Sequence, residues 1–174
     1  METISRTLED LSVGATQRAG NLSMTPLVAE TEGEPRYVTL DDALAHGWAR
    51  VTEVTEGGSV PTLLVQNVAK VPVLILDGEE LVGAKQNRIV NLTILVPAQA
   101  TVTIPVSCVE AGRWSATSTV FAAAKRTQHV TARARKARDV TASLNAVGER
   151  HSNQSAIWND IAAKSARMGV HSAT

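Results

Sequence analysis

The sequence has only one cysteine among its 174 residues, Cys108, so an intramolecular disulfide is excluded. No histidine lies within four residues of another, and neither H-x-x-x-H nor C-x-x-C occurs. The histidines are His46, His129, His151 and His171. The acidic run at Asp77, Glu79 and Glu80 offers oxygen ligands of the kind that magnesium takes, but without a specific pattern. We therefore predict no structural metal, no cofactor and a reducing, cytoplasmic location.

Aromatic residues and long apolar runs are also scarce. Aromatic side chains make up 3% of the chain, so the core must be built from Val, Leu, Ile and Ala. No apolar run approaches the ~20 residues of a membrane-spanning helix, and the N-terminus, METISRTLEDL, lacks the regions of a signal peptide. We therefore predict a single domain over residues 1–174 with no membrane partner. The abrupt end at GVHSAT indicates that the domain is truncated at its C-terminus.

An overall excess of charge is absent, because 17 basic and 17 acidic residues balance. However, residues 1–60 hold ten acids and four bases, whereas residues 111–174 hold ten bases and three acids. A basic end can bind nucleic acid, or it can attract the acidic end within the chain or between subunits. The basic segment 125–138 has no aromatic residue between its charges, which disfavours single-stranded nucleic acid. We predict no nucleic-acid partner and consider a homo-oligomer.

Short runs of Val, Ile, Thr and Leu indicate strands throughout residues 20–112. In the segment TVTIPVSCVE (101–110), apolar residues alternate with others along the predicted strand. The apolar face consists of Val102, Ile104, Val106 and Cys108. Continued alternation would direct Glu110 inward, where a carboxylate needs a partner or the end of the sheet. This region predicts an antiparallel β-sandwich or barrel-like sheet. A short helix interrupts it at TLDDALAHG (39–47), with Thr39 as its cap and Gly47 as its end.

After Trp114 the strand-like runs disappear, and we predict helical structure over residues 116–170. One helix is expected between about residues 127 and 147, ending at Gly148. Its apolar face would be Val130, Ala134, Ala137, Thr141 and Leu144. A second helix would begin after Ser152 and end before Gly169, with its inward side chains at Ile157, Ile161 and Met168. The predicted fold class is therefore α+β, a β-sandwich or barrel-like sheet followed by C-terminal helices.

The stretch DGEELVGAKQNR (77–88) is the first candidate site. Asp77-Gly78 joins two apolar runs and predicts a hairpin with a type I′ turn. Successive strand residues alternate, so Glu79 and Glu80 would point to opposite faces and would not form a catalytic carboxylate pair. The other candidate ligand contacts of this stretch are Gln86, Asn87 and Arg88.

The stretch CVEAGRW (108–114) is the second candidate site. A carboxylate at Glu110, a guanidinium at Arg113 and an indole at Trp114 could recognise the ribose, phosphate and base of a nucleotide. The structural alternative is an ion pair beneath a capping tryptophan. Cys108 is expected to be a buried apolar residue rather than a nucleophile. Both stretches follow strand ends, where sites are often built, and they form a site only if they meet.

The run from residue 71 to 114 resembles a bacterial family, the ARG and rhodanese-phosphatase-superfamily-associated protein domain. The resemblance depends on the segments G-E-E-L-x-G-x-x-Q-N-R and P-V-S-C-V-E-x-G-R-W, and it extends from NLSMTPL to the final helix. Members of this family extend beyond the end of this chain. The family name implies association with ADP-ribosylglycohydrolase and phosphatase-type partners, and thus a place near NAD or ADP-ribose metabolism. It implies no catalytic residue.

Three functions are compatible with these features. The first is a domain that binds a small nucleotide or ADP-ribose-like compound. The second is a hydrolase of such a ligand, with a glutamate as general base and Arg88 or Arg113 stabilising negative charge. The third is an oligomerisation module held by its oppositely charged ends. The sequence does not decide whether the protein is an enzyme.

Overall fold

The computed structural model describes residue 5, residues 8–29 and residues 36–170. The chain forms two compact units, Met1–Pro35 and Arg36–Thr174. His171 and the last residues, on which the expectation of truncation depends, lie outside the described residues.

The first unit contains four short strands that form two antiparallel two-stranded sheets. They are β1 (Leu11–Val13), β2 (Gln17–Ala19), β3 (Leu22–Met24) and β4 (Leu27–Ala29). β1 pairs with β4, and β2 pairs with β3 around Gly20, whose φ of 57° suits glycine at this turn. All three residues of β2, β3 and β4 are exposed.

The second unit is built on a closed barrel of six antiparallel strands, which confirms the barrel-like form of the α+β prediction. The strands of the second unit, in the barrel and outside it, are in chain order β5 (Val38–Thr39), β6 (Ala49–Glu53), β7 (Thr62–Asn67), β8 (Val73–Ile75), β9 (Glu79–Gly83), β10 (Arg88–Val90), β11 (Ile94–Val96), β12 (Thr101–Cys108) and β13 (Phe121–Thr127). The order around the barrel is β10, β12, β7, β6, β13, β9, and β9 pairs back to β10. The remaining strands form a small sheet in the order β11, β8, β5, in which β5 and β8 are parallel.

Alternating residues of the barrel strands fill its interior with aliphatic side chains, as the scarcity of aromatics predicts. Ile104, Val106 and Cys108 of β12 are buried, in agreement with the predicted face. The fully buried core residues of the neighbouring strands include Val51, Leu63, Val65, Leu81 and Val90. Glu110 follows the end of β12 and has a partner in Arg113, so the inward carboxylate is accommodated at the end of the sheet.

The predicted short helix is confirmed as α1 (Leu40–Ala45). The Thr39 side chain accepts a hydrogen bond from the Asp42 N–H at 3.3 Å, and Gly47 has a φ of 68° directly after the helix. Both features match the roles that the sequence predicts for these two residues.

The two C-terminal helices are α2 (Val130–Val147) and α3 (Gln154–Met168), and left-handed Gly148 and Gly169 end them as predicted. The predicted apolar face of α2 is wrong, because Val130 is 79% exposed and the buried residues are Ala132, Lys136 and Val140. The cap of α3 is Asn153 rather than Ser152. No described helix is long and apolar enough to span a membrane.

Strand β13 corrects the predicted boundary between strands and helices. Residues 121–127, FAAAKRT, were expected to be helical because runs of β-branched residues disappear after Trp114 and Ala, Ser, Thr, Arg and Lys replace them. Strand propensity depends strongly on neighbouring strands, and here β9 and β6 both offer partners. The prediction of helix over 116–170 is therefore wrong for these residues, and the β-rich region extends beyond residue 112.

The predicted hairpin at Asp77-Gly78 is also wrong. The chain turns there, with the Glu79 N–H donating to the Leu76 carbonyl at 3.2 Å, but β8 before the turn pairs with β5 and β11. After the turn, β9 pairs with β10 and β13 instead. Gly78 has a φ of 82°, whereas Asp77 has no positive φ, so the type I′ geometry is not formed.

Candidate functional site

The two candidate stretches meet at one end of the barrel, where β10 begins and β12 ends. The Asn87 N–H donates to the Glu110 carboxylate at 2.6 Å, and the Gln86 side-chain amide donates to the Glu110 carbonyl at 2.8 Å. Arg113 donates to the Asn87 side chain at 3.1 Å. Antiparallel pairing of Arg88 with Cys108 fixes this proximity. Six of the eight predicted contacts therefore lie together: Gln86, Asn87, Arg88, Glu110, Arg113 and Trp114.

The Glu110 carboxylate joins the two candidate stretches through hydrogen bonds from Asn87 and Arg113 and is not available as a free base. Burial alone would raise its pKa, but hydrogen bonds from the Arg113 side chain and the Asn87 N–H outweigh burial and lower it. Arg113 also donates to the carbonyls of Ala84 and Ser115, both at 3.0 Å. The carboxylate and guanidinium are therefore engaged in joining three loop segments.

Arg88 lies inside the barrel and is completely buried. Its guanidinium donates to the Gln86 side-chain oxygen at 3.0 Å and lies 3.6 Å from a carboxylate oxygen of Glu53, on β6. Among the described residues, Nε and one terminal nitrogen of Arg88 have no hydrogen-bond partner, and neither carboxylate oxygen of Glu53 has one. A buried ion pair with unmet hydrogen bonds is costly, because both charges have lost their hydration.

Trp114 covers this pair from the side of the loops and is 46% exposed. The Arg88 guanidinium lies 5.5 Å from the centre of the indole ring, and the Lys85 ammonium lies 5.6 Å from it. Both distances are within cation–π range. Lys85 also donates to the carbonyls of Glu56 and Gly57, at 2.6 and 2.7 Å.

Gly58 marks the point where three of these side chains converge. Its φ is 78°, a conformation that favours glycine. A Cβ at this position would lie 3.1 Å from Lys85, 3.2 Å from the Trp114 ring and 3.4 Å from the Glu53 carboxylate. Glycine therefore lets the loop after β6 approach all three groups.

A cavity of about 330 Å³ adjoins this cluster. Its volume lies at the lower end of the range for small-molecule sites, roughly 300–1,000 Å³. Its lining residues are Thr52, Glu53, Thr55, Glu56, Ala84, Lys85, Ala116, Ser118 and Thr119. Its wall therefore contains two carboxylates, one ammonium and several hydroxyl groups.

Glu79 and Glu80 are not part of this cluster, although the sequence groups them with it. They lie at the opposite end of β9, and Glu80 forms an ion pair with Arg126. Glu79 accepts a hydrogen bond from the Leu76 N–H at 3.2 Å. Burial raises the pKa of Glu79, the hydrogen bond from Leu76 lowers it in part, and the negative charge of Asp41 raises it further, so the net shift is upward.

Glu53 and Lys85 are the site residues that the sequence reasoning missed. The alternation of Ala49, Val51 and Glu53 in β6 directs Glu53 inward, so the same argument that singled out Glu110 could have identified it. Lys85 has no comparable signal, because its position depends on the turn between β9 and β10. Ala84, directly before it, adopts a left-handed φ of 42°.

Cys108 is fully buried beside Arg88, at the end of β12. Burial raises the pKa of its thiol, and the positive charge of Arg88 offsets this effect only in part. A protonated, inaccessible thiol is a poor nucleophile. The described residues contain no group of three metal-ligating side chains placed to hold an ion.

Comparison with known proteins adds one match. A family model described as the ARG and Rhodanese-Phosphatase-superfamily-associated Protein domain matches residues 10–174, which is nearly the whole chain. No curated protein and no solved structure matches the chain.

Proposed function

We propose, from the premise that this chain belongs to the ARG and Rhodanese-Phosphatase-superfamily-associated Protein domain family, that it binds a small nucleotide-like ligand, of the ADP-ribose class, at the end of the barrel. The family description names associations rather than a reaction, so the proposal depends on the chemistry of the site. The ligand site consists of Glu53, Lys85 and Trp114 around Gly58, above the buried Arg88.

The observation that carries this proposal is the buried Arg88–Glu53 pair with unfilled hydrogen-bonding capacity. Such a pair contributes little to stability compared with apolar residues of similar size. Strained or unsatisfied groups of this kind concentrate at functional sites, where a ligand completes their interactions. Because Glu53 lines the adjoining cavity, a bound hydroxyl group is the natural partner for its carboxylate.

The proposed site offers a side chain of suitable chemistry for each part of a nucleotide. The Lys85 ammonium can bind a phosphate, and the half-exposed Trp114 ring can stack on a base. Glu53 and Glu56 can accept hydrogen bonds from ribose hydroxyls. The predicted contacts Gln86, Asn87, Glu110 and Arg113 then act as supports that fix the loops around the site.

Hydrolysis of the same ligand is the weaker proposal. A general base near neutral pH needs a carboxylate with a raised pKa, whereas the pKa of Glu110 is lowered. Glu79, whose pKa is raised, lies at the other end of β9. Oligomerisation through opposite charges is also less favoured, because four of the six bases in segment 125–138 pair with acids of the same chain.

Thermal unfolding with ADP-ribose, NAD and AMP tests the proposal. A ligand that binds only the folded state stabilises it by about 2.7 kcal/mol at a hundred times Kd, which raises Tm by roughly 5–10 °C for a chain of this size. We expect this rise in the wild type and its loss in Trp114→Ala and Lys85→Gln. Trp48→Ala and Lys70→Gln are the matched controls, since Trp48 is similarly exposed and both residues lie outside the site.

Equal ligand-induced shifts in Trp114→Ala and Trp48→Ala would contradict the location of the site. No shift with any of the three compounds at millimolar concentration would contradict the ligand class. Gly58→Ala gives an independent check, because its methyl group would enter the space between Lys85 and Trp114 and should weaken binding without removing a polar contact.

A further inference from the structure

The barrel closes between β6 and β13 through a single residue pair. These strands pair only at Val51 and Phe121, whereas β6 pairs with β7 along its whole length. Beyond Phe121, β13 continues along β9 and separates from β6. The separation leaves a groove between β13, the start of β6 and helix α1.

The groove contains a cavity of about 500 Å³, and its wall is mostly apolar. The apolar wall consists of Leu44, Ala45, Ala49, Val51, Val120, Phe121, Ala122 and Ala123. Four of these residues are alanines, whose short side chains leave the space open. The volume is within the range that small-molecule sites occupy, about 300–1,000 Å³.

Two cations and one acid lie on the rim of this cavity. The cations are Arg50 and Lys125, and the acid is Asp41. Among the described residues neither cation forms an ion pair, although most other bases of the C-terminal half do. The rim therefore carries a net positive charge beside an apolar wall.

Lys125 holds its position through an unusual backbone conformation. Its φ is 55°, a left-handed value that is rare for lysine, and the pairing of β13 with β9 shifts register between Ala123 and Thr127. The bulge places Lys125 between this cavity and a smaller polar one of about 280 Å³, which it also lines with Arg126. Backbone strain of this kind costs about 1–3 kcal/mol and is concentrated at functional positions.

We infer that this groove is a second ligand site, separate from the barrel-end site, and that it binds a free amphipathic monoanion such as a medium-chain fatty acid. The apolar chain occupies the alanine-lined cavity, and the anionic head binds Lys125 and Arg50. Charge complementarity selects an anion because the cavity is lined by one carboxylate and by two cations that have no ion-pair partner among the described residues. The apolar wall selects an alkyl chain rather than a sugar or a phosphate alone.

Binding of a series of saturated fatty acids tests this inference. Octanoate, decanoate and dodecanoate, below their micellar concentrations, should displace the fluorescent sulfonate 8-anilinonaphthalene-1-sulfonate from the folded protein. Each added methylene buried in the cavity should tighten binding about fourfold, since its transfer free energy is roughly 0.8 kcal/mol. The matching alkyl sulfates should follow the same trend, and the matching alcohols should bind at least tenfold more weakly.

Two pairs of variants locate the site. Lys125→Gln should weaken dodecanoate binding about tenfold, whereas Arg138→Gln, which removes an exposed base of α2, should leave it unchanged. Ala45→Leu fills the cavity from an exposed helical position and should abolish binding, whereas Ala137→Leu makes the same change on the exposed face of α2. Circular dichroism and Tm confirm that each variant is folded.

Several results would overturn the inference. One is equal binding in the two members of either pair, and another is an affinity that does not depend on chain length. Binding to vesicles containing anionic lipid without any binding to free dodecanoate would assign the groove to a membrane surface instead. Because ADP-ribose stabilisation is measured separately on the Trp114 and Lys85 variants, failure here leaves the barrel-end proposal unaffected.

Discussion

Arg88 and Lys136 are two fully buried cations that lie on opposite sides of strand β10. Lys136 belongs to α2 and lies outside the barrel, where its ammonium donates to the Val90 carbonyl and lies 2.6 Å from the Asp77 carboxylate. Arg88 lies inside the barrel with part of its guanidinium unpaired. The Lys136 ammonium therefore has two close partners, the Val90 carbonyl and the Asp77 carboxylate, as expected of a structural residue. The unpaired guanidinium nitrogens of Arg88 instead support its place in the proposed site.

Arg88→Ala should produce the largest loss of stability. It removes the partner of Glu53 and leaves a buried, uncompensated carboxylate, which costs about 3–5 kcal/mol. Urea denaturation of the variant and the wild type measures this difference. The variant is therefore a poor test of ligand binding, since it is expected to be partly unfolded.

The double variant Arg88→Met with Glu53→Leu is the control for that experiment. Removing both charges should restore an unfolding free energy near that of the wild type or about 1–4 kcal/mol above it, because the desolvation cost disappears. It should also lose ADP-ribose stabilisation. A double variant as unstable as Arg88→Ala would show that the pair itself holds the barrel together.

Lys136→Met should have a smaller effect, a loss of about 1–3 kcal/mol. Asp77 keeps a second partner, because Arg133 donates to it at 3.2 Å, and its side chain retains some solvent exposure. Urea denaturation measures the loss of unfolding free energy. Limited proteolysis shows whether α2 detaches before the rest of the protein unfolds. A loss as large as that of Arg88→Ala would remove the distinction between the two cations.

The same lysine predicts a pH dependence of stability. Burial lowers the pKa of Lys136 below its ordinary value of 10.5, although the Asp77 hydrogen bond and charge act in the opposite direction. Between the folded pKa and 10.5 the unfolded chain binds more protons, so the unfolding free energy rises with pH, by at most ~1.4 kcal/mol per unit. Below that window the penalty is constant. Subtracting Lys136→Met from the wild type at each pH isolates this slope, and a flat difference would contradict it.

Cys108→Ala should have the smallest effect, a loss of about 1 kcal/mol from removing one buried sulfur. Because Cys108 is fully buried, a thiol reagent such as Ellman's reagent should react with it only as fast as the protein unfolds, and burial also raises the pKa of the thiol. ADP-ribose stabilisation should be retained. Its loss in a folded Cys108→Ala protein would show that the thiol contributes to the site.

The parts of the fold that the sequence predicted depend on local signals. The cap at Thr39, the left-handed glycines after the helices and the alternating face of β12 are all determined within a few residues. The failures involve partners distant in the chain. Asp77-Gly78 does produce a turn, but turn residues do not specify which strands pair, and β8 and β9 enter different sheets.

The buried face of α2 shows the same limitation. Its sequence offers two thin faces, and apolar counting favours the one with Val130 and Leu144. The structure buries the other because Lys136 reaches Asp77, a partner 59 positions away that no periodicity reveals. At the site, Gln86 to Arg88 and Glu110 to Trp114 were correctly grouped through strand ends, whereas Lys85 and Glu53 required the completed barrel.

The single Val51–Phe121 pair between β6 and β13 has a consequence for how the chain matures on the ribosome. The two residues are 70 positions apart, and β13 also provides the second neighbour of β9. At typical synthesis rates that interval lasts roughly 4–14 s, and during it β6 can pair with β7 on one side while its other edge lacks β13. Strand β9, once made, likewise lacks β13 as its second neighbour. Unpaired edges invite pairing with other nascent chains, so this protein should depend on chaperones or dilute expression until FAAAKRT emerges.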